Sequence, residues 1–376
     1  MHVPAHSPPE PALAPPRRTL VALSGGVDSA TVAGLLAEAG EPLVAVFMRN
    51  GVSGTAARRS CCALSDARDA RAVADRLGIP FYVHDMERPF ARLMRAFAED
   101  YAAGLTPNPC IVCNNELKFG ELMTLADDLG CEAVATGHYA LAQDGALRRG
   151  ADAAKDQSYV LHGLTPRQLQ RARFPLGALR KAEVRAHARR LSLPVADKPD
   201  SADICFVPGG DYRAVVEREL GGRGAPGAVV DGRGAIVGRH EGVAGFTVGQ
   251  RKGLGIALGE KVFVTAIDPA GGEVRVGPRE ALARGRCEIG AMNWLAPAPR
   301  DAAVLVQLRH HHAPEPARVE CSGRDDGAVV LHFERPSEAV CPGQYAVLYD
   351  GDRVLGGGRI RRESPEAAPE ALTAGT

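Results

Sequence analysis

The sequence predicts an α/β protein: an N-terminal doubly wound parallel sheet, then a small β-rich central domain, then a C-terminal β-barrel. Three observations carry that reading. From residue 18 to about 140, short apolar runs alternate with segments of helical spacing, as in a parallel sheet covered by crossover helices. After about Asp211 the pattern changes to Gly-punctuated apolar runs that read as hairpins. From about Gly285 apolar and polar residues alternate as barrel strands require. The expected divisions are a disordered Pro- and Ala-rich leader over 1–17, a first domain over 18–211, the central domain over 212–284, the barrel over 285–362 and a disordered tail over 363–376.

The first element is the apolar run Thr19 to Leu23, followed by SGGVDSA and then TVAGLLAEAG, which Gly40 stops. That is strand, tight loop, helix. Gly25 and Gly26 let the backbone turn sharply and aim successive N–H groups at an anion, while Ser24, Asp28 and Ser29 surround the helix N-terminus. The loop suits a phosphate. It is not a Walker A loop, because no Gly-Lys-Ser/Thr follows and the phosphate-handling lysine of those enzymes is missing.

EPLVAVFMRN reads as a second buried strand, SDARDARAVADRLG as a helix leading into IPFYVHDM, and CEAVATGHYA as a strand ending at Gly137 and His138. In such sheets ligands sit at the carboxyl ends of strands. A core histidine is the alternative for His138. LRKAEVRAHARRL, residues 179–191, is helix-like, with Val184, Ala188 and Leu191 on one side and Lys181, Arg185 and Arg189 on another. In isolation this basic stripe reads as a solvated face. PGAVVDGRGAIVGRHEG and KVFVTAIDPAGGEVRVG are the central hairpins, and AAVLVQLRHHH, GAVVLHF and QYAVLYDGDRVLGGGRI the barrel strands.

At 376 residues the chain has ample length for several cores. Lys plus Arg equals Asp plus Glu at 45 each, so a nucleic-acid partner has to be met by a local basic patch. No apolar run approaches the roughly 18 to 20 residues that span a bilayer, and the N-terminus has no apolar h-region. Nine cysteines, an odd number without secretory context, point to a reducing, cytoplasmic location.

Cys110 and Cys113 stand in TPNPCIVCNNELKF, residues 106–119. Alone, this spacing fits a zinc knuckle, a redox pair, part of an iron–sulfur site or one working thiol with a neighbour. Zinc lacks a second CxxC or a matching His pair, and the histidines at 310–312 fall in another predicted domain. Cys131, Cys287, Cys321 and Cys341 lie in strand-like apolar runs and read as small core residues. Cys61 and Cys62, in a polar loop, are either structural or accessory.

The SGGVDS loop resembles the pyrophosphate-binding loop of the adenylating ATP pyrophosphatase superfamily, whose fold is adenine nucleotide α-hydrolase-like. After it, in order, come TPNPCIVCNNELKF, ATGHYA, KDQSYVL, FPLGALRKAEVR, DSADICF, FTVGQRKGLGI and CPGQYAVLY. The series closely resembles the bacterial tRNA-specific 2-thiouridylase family, from about residue 18 to residue 360.

The resemblance implies an enzyme that replaces the C2 oxygen of a tRNA wobble uridine by sulfur, using ATP, Mg²⁺ and a protein persulfide. It implies ATP contacts at Ala22, Leu23, Ser24, Gly25, Gly26, Val27, Asp28, Ser29, Met48 and Gly137. Cys113 stands at the family's nucleophile and Cys205 at its persulfide-bearing cysteine. Asn108, Pro109 and Cys110 stand where the family meets the target base. Lys155, Asp156, Gln157, His138, Arg309, His310 and Gln344 stand where it meets tRNA. With these neighbours the Lys181–Arg185–Arg189 stripe is expected to touch the tRNA backbone. The implied partners are tRNA and a sulfur donor, either a cysteine desulfurase or a relay protein.

The chemistry fits those residue types. A uracil C2 oxygen is a poor leaving group until AMP is attached to it, and the pyrophosphate then released suits the glycine loop. A cysteine persulfide is stable enough to carry sulfur to RNA. Either order of sulfur transfer leaves a Cys113–Cys205 disulfide to be reduced. Most family members have aspartate where this chain has Cys110, which puts the proton-transfer role there in question and raises a second expectation. Cys110, Cys113 and Cys205 supply three thiolates for a [4Fe–4S] cluster. Two rival readings are an ATP-dependent ligase or amidotransferase needing neither cysteine, and a non-catalytic RNA-binding or sulfur-relay protein.

Overall fold

A computed structural model describes residues 18–51, 64–200, 204–299, 302–321 and 327–362. The expected leader, the expected tail and the Cys61–Cys62 pair lie outside the described residues.

β1 (Arg18–Ala22) enters the loop that opens α1 (Val27–Glu38), and β2 (Leu43–Arg49), α2 (Leu64–Leu77), β3 (Phe81–Asp85) and α3 (Glu87–Ala102) follow. Then come α4 (Pro109–Val112), a π-helical segment over Cys113–Glu121, α5 (Leu122–Asp128) and β4 (Cys131–Ala135). β5 (Ala140–Gln143) and β6 (Ala146–Arg149) form a hairpin, α6 (Pro166–Arg171) follows, and the two-residue β7 (Ala172–Arg173) returns to the first sheet. That sheet is parallel, in the order β3-β2-β1-β4-β7. Strand order reverses at β1, which lies between β2 and β4, so the crevice at the carboxyl ends of β1 and β4 is the switch point where such folds take ligands.

Period-two alternation along β1 divides the cores. Val21 and Leu23 join α1, α2 and α7 (Lys181–Arg190) on one face, through Ala30, Ala33, Val73, Val184 and Ala188. Leu20 and Ala22 face the other way, into a core shared with Phe119, Tyr159 and Leu161 and with Val347, Tyr349 and Val354 near the C-terminus. Residues of the C-terminal domain thus share the core on this face of the first sheet with helical residues such as Leu122, Ala126 and Leu169.

After α8 (Tyr212–Leu220), the central hairpins appear as expected: β8 (Gly227–Val230) with β9 (Ile236–His240), and β10 (Phe263–Asp268) with β11 (Glu273–Gly277). They join through a parallel β11–β8 pairing. β12 (Arg284–Trp294), β13 (Ala303–Gln307), β14 (Glu315–Cys321), β15 (Val329–Ser337), β16 (Tyr345–Asp350) and β17 (Arg353–Ile360) form the barrel. β12 pairs with both β15 and β17, which closes six strands on themselves and removes their edges. The β5–β6 hairpin of the first domain attaches to β17 at Arg353↔Arg148.

Candidate functional site

The glycine loop sits where the sequence places it. Gly25 has φ 74°, a left-handed conformation, and a Cβ there would lie 2.3 Å from the Asp66 carbonyl oxygen, so only glycine fits. Gly26 is the N-cap of α1 and no side chain caps that turn. The Ser29 hydroxyl donates to the Gly26 carbonyl (3.2 Å) and accepts from the Ser24 amide (3.1 Å), which ties the loop to the helix. Gly137 follows β4, and a Cβ there would come within 3.0 to 3.1 Å of Ser29 N and the Asp28 backbone carbon. Uncapped helix amides beside a tightly packed glycine loop form a cradle for an anion.

α7 runs alongside α1 in the same direction, as four pairs of contacts show. Lys181 Nζ lies 2.7 Å from Asp28 Oδ1, and Thr31 Oγ1 lies 3.5 Å from the Val184 carbonyl. Gly34 leaves room for the Leu191 side chain, and Arg190 pairs with Glu38. Both helix N-termini therefore open at the loop end. Lys181 is fixed at the first position of α7 by its own amide, which donates to Asp152 Oδ2 at 2.9 Å, and its side chain is 14% exposed.

The other charges of the expected RNA-facing stripe also have partners in their own chain. Lys181 also pairs with Asp200 (2.8 Å), Arg185 donates to the Ala196 and Lys198 carbonyls and to Asp200, and Arg189 pairs with Asp197. The stripe holds down the 196–200 segment of its own chain. Helical periodicity showed which side chains share a face, but not that acidic residues downstream fold back over it. Burial pushes the Asp200 carboxyl up, but hydrogen bonds from Lys181 and Lys155 outweigh this and hold it at about 2. Tyr139 donates to Asp28 Oδ1 at 2.9 Å, and burial followed by the Asp28 charge raises its hydroxyl pKa. Lys198 reaches the back of the loop, bonding the Gly25 carbonyl, Asp66 and Asp69. Sequence reading missed Tyr139, Lys198 and Asp200, which carry no local signal of a site.

The cysteines gather elsewhere. Cys110 is exposed on α4, and Cys113 is half-buried at the start of the π-helical segment. Cys205 is half-buried beside Phe206, whose ring stands edge-on to Phe90 (5.7 Å) and Phe97 (5.1 Å) of α3. Cys113 and Cys205 thus pack against one apolar cluster, although 92 positions separate them in sequence, from 113 to 205. The π-helical segment leaves carbonyls that an α-helix would satisfy. Gln168 takes up two of them, donating to Asn115 O (3.3 Å) and Phe119 O (2.6 Å) while its own oxygen accepts from the Thr165 amide.

The barrel grips the segment before Cys110. Thr106 N donates to the Pro342 carbonyl (2.9 Å), and Gln344 Nε2 donates to the Thr106 and Pro107 carbonyls (3.2 and 3.3 Å). A Cβ on Gly343 would lie 2.6 Å from Thr106 N. CPGQ and TPNP, two motifs far apart in sequence, thus make one clasp.

The other residues read as RNA contacts differ in what they offer. Asp156 is buried, pairs with Arg149 (2.9 Å) and accepts from the Gly150 and Ser158 amides. Gln157 bonds the Tyr139 backbone, and Lys155 pairs with Asp200. His138 is buried against Thr136, and burial holds its pKa well below the usual value. Arg309 donates Nε to the Ala339 carbonyl, but its Nη2 is buried without a hydrogen-bond partner, as is His310 Nδ1. Burial first, then His311, lowers the His310 pKa to about 4. Asn108 is the half-buried N-cap of α4, Pro109 is buried at its first position, and Met48 is half-buried at the end of β2.

Among the described residues no group of three His, Cys, Asp or Glu side chains could hold a metal ion. Cys110, exposed on α4, and the half-buried Cys113 and Cys205 are not among such groups. Mg²⁺ is a different case, since it binds through one carboxylate plus substrate phosphates. Asp28, at the cradle and about one-third exposed, fits that minimal role.

Comparison with known proteins gives three family models in order. "tRNA methyl transferase HUP domain" matches residues 17–209, "tRNA methyl transferase PRC-barrel domain" 213–278 and "Aminomethyltransferase beta-barrel domain" 284–360. The tRNA-specific 2-thiouridylase MnmA of Azorhizobium caulinodans is 50% identical over 364 residues, covering 92% of this chain and 93% of its own. Those of Xanthobacter autotrophicus and Rhodospirillum centenum are 48% and 47% identical, covering 92% and 95% of this chain and 93% and 95% of theirs. Among solved structures, NMN synthetase from Francisella tularensis matches 56% of this chain and 80% of its own at 18% identity and a TM-score of 0.34, a likeness too low to bear on function.

Proposed function

The chain belongs to the tRNA-specific 2-thiouridylase family, and from that premise we propose that it thiolates C2 of the wobble uridine of tRNA, consuming ATP and yielding AMP and pyrophosphate. The observation that carries the reading is the pairing of an anion cradle at the β1–β4 switch point with two cysteines on one apolar cluster. A ligase acting on a small carboxylate would use the cradle and leave both cysteines without work. A relay or binding protein would leave the cradle without work.

In the proposed sequence the uridine C2 oxygen attacks the α-phosphorus of ATP, an O–P bond forms, and pyrophosphate leaves into the cradle. Ala22 to Ser29, Met48 and Gly137 hold the nucleotide. A bound Mg²⁺ would neutralise phosphate charge beside Asp28. Cys205 receives its terminal sulfur from a cysteine desulfurase or a relay protein. That sulfur attacks C2 and AMP departs; Cys113 then attacks the Cys205 Sγ, releasing 2-thiouridine and forming a disulfide. In the alternative order, Cys113 first frees hydrosulfide, which attacks C2 and leaves the same disulfide.

Arg309 and His310 carry buried nitrogens without a hydrogen-bond partner on the barrel side, polar capacity that supports a role in meeting RNA. Lys155, with a side chain 40% exposed, offers a cation from the first domain. The clasp makes Gln344 a residue that sets Asn108, Pro109 and Cys110 in place for the base. No helix among the described residues is long and apolar enough to cross a membrane, and a cytoplasmic site of action suits both tRNA and reduced thiols.

The test is mass analysis of tRNA nucleosides from cells lacking the protein, complemented with wild type, Cys113→Ser or Cys205→Ser. Wild type should restore 2-thiouridine derivatives and neither variant should. Persistence of those derivatives in the deletion strain would overturn the function, and restoration by Cys205→Ser would overturn the persulfide role.

A further inference from the structure

We propose that Cys110 is the resolving thiol of the cycle. It opens the Cys113–Cys205 disulfide from within the protein and presents the oxidised pair, now Cys110–Cys113, to a dithiol reductant at the surface. The inference rests on the thiolation reading above, which ends on the Cys113–Cys205 disulfide and gives that bond no route back to thiols.

The four residues Cys110-Ile-Val-Cys113 divide among three surroundings. Ile111 is fully buried in the core shared with the first sheet, Val112 packs on the Phe206 cluster, and Cys110 is exposed. Cys113 has helical backbone angles (φ −58°, ψ −43°) and its amide bonds to the Cys110 carbonyl, so one continuous turn joins the two cysteines. A helix advances about 100° per residue, which sets Cys113 about 60° from Cys110 around the axis and between it and Val112. The same geometry puts the two Cα atoms about 5 Å apart, inside the span of roughly 4.4 to 6.8 Å that a disulfide bridges. Cys113 therefore stands between two sulfur partners, Cys205 on the cluster side and Cys110 on the solvent side.

Access gives the relay its purpose. Cys113 and Cys205 are half-buried on the cluster of Phe90, Phe97 and Phe206, which shields a bond between them from a bulky reductant, and exchange depends on reaching the sulfur that is attacked. A Cys110–Cys113 bond has one sulfur at the surface. None of the other described cysteines offers this: Cys131, Cys287 and Cys341 are buried, and the exposed Cys321 ends β14 in the barrel. The turn is also held on both sides, by Gln344 at Thr106 and Pro107 and by Asn114, whose amide donates to the Val160 carbonyl at 2.9 Å.

In the exchange the Cys110 thiolate attacks Cys113 Sγ. The Cys110–Cys113 bond forms, the Cys113–Cys205 bond breaks, and Cys205 leaves as a thiolate free to take the next sulfur; the proton Cys110 gave up balances the one Cys205 takes, and no electrons are gained or lost. The external dithiol then supplies two electrons, becomes a disulfide itself and leaves Cys110 and Cys113 as thiols.

The experiment is disulfide mapping by mass spectrometry after one turnover without reductant. Enzyme loaded with sulfur by a cysteine desulfurase is mixed with ATP and unmodified tRNA, quenched in acid and alkylated, and 2-thiouridine is measured in the same sample. Wild type should hold the Cys110–Cys113 disulfide with Cys205 alkylated, and Cys110→Ser should stop at Cys113–Cys205. Dithiothreitol should then reduce the bond in Cys110→Ser about 10-fold more slowly than the bond in wild type. Wild type that makes 2-thiouridine and ends on Cys113–Cys205, or on no disulfide, would overturn the relay, as would equal rates of reduction. If Cys110→Ser does not fold, the wild-type map decides alone. Wild type that makes no 2-thiouridine would instead sink the thiolation reading, and the relay with it.

Discussion

The glycine-loop end and the thiol end of this protein are built by opposite means. At the glycine-loop end, one contiguous stretch, Ala22 to Ser29, sets the backbone, and ion pairs from α7 and the 196–200 segment trim it. At the thiol end no stretch suffices. Cys113 opens a π-helical segment satisfied by Gln168, Cys205 is located by Phe206 between two α3 rings, and the preceding loop is held by the barrel. The difference teaches that an anion needs a fixed array of N–H groups, which a short loop can supply. Two cysteines remote in sequence reach one cluster only when several elements agree.

Three measurements would break or sharpen that comparison. The largest effect is expected at Gly25→Ala, where a positive φ and a Cβ 2.3 Å from the Asp66 carbonyl oxygen force the loop to shift. ATP affinity should fall by about 100-fold or more, while sulfur loading of Cys205 by a desulfurase stays near wild type. Equal loss of both would show that the two ends are not separate constructions.

The second is a pH effect on the seam between the first domain and the barrel. His162 is buried there, 5.2 Å from the Tyr345 ring, and Asn293 donates to its carbonyl oxygen. Burial lowers its pKa from 6.5 to about 4, against the raising effect of its bond to the Tyr159 carbonyl. The folded state therefore keeps this group neutral, while the unfolded chain takes up a proton below pH 6.5. Its contribution to stability is intact above that pH and is lost as pH falls towards 4, reaching about 2 kcal/mol at pH 5. Urea unfolding at pH 7 and pH 5 should show a smaller drop for His162→Gln than for wild type. An identical drop would remove this histidine from the account.

The smallest effect is expected from Gly343→Ala, which pushes against Thr106 N and loosens a clasp of three hydrogen bonds. Thiolation should slow about 10-fold, the equivalent of one or two such bonds, with the KM for ATP unchanged. A change in ATP binding alone would assign the clasp to the wrong end of the molecule.

Much of the architecture was legible because the chain's periodicities are local. β1, α1, β2, α2 and the paired hairpins of the central domain all stand where spacing and glycines place them. The barrel strands were legible too, but the β12–β17 pairing that closes them, the β5–β6 hairpin joined to β17 and the π-helical turn at Cys113 were not, since each depends on partners far along the chain. The basic helix shows the limit most plainly: its charges were visible, but their acidic partners came into view only with the fold.

By itself the sequence determined the glycine loop and the order of motifs, because backbone freedom at glycine and the chemistry of a side chain are properties of single residues and short stretches. The tertiary structure alone decided that Lys181 faces Asp28 and not solvent, that Cys113 and Cys205 share one cluster, and that CPGQ clasps TPNP. Those are distances between remote parts of the chain, and no local periodicity encodes a distance.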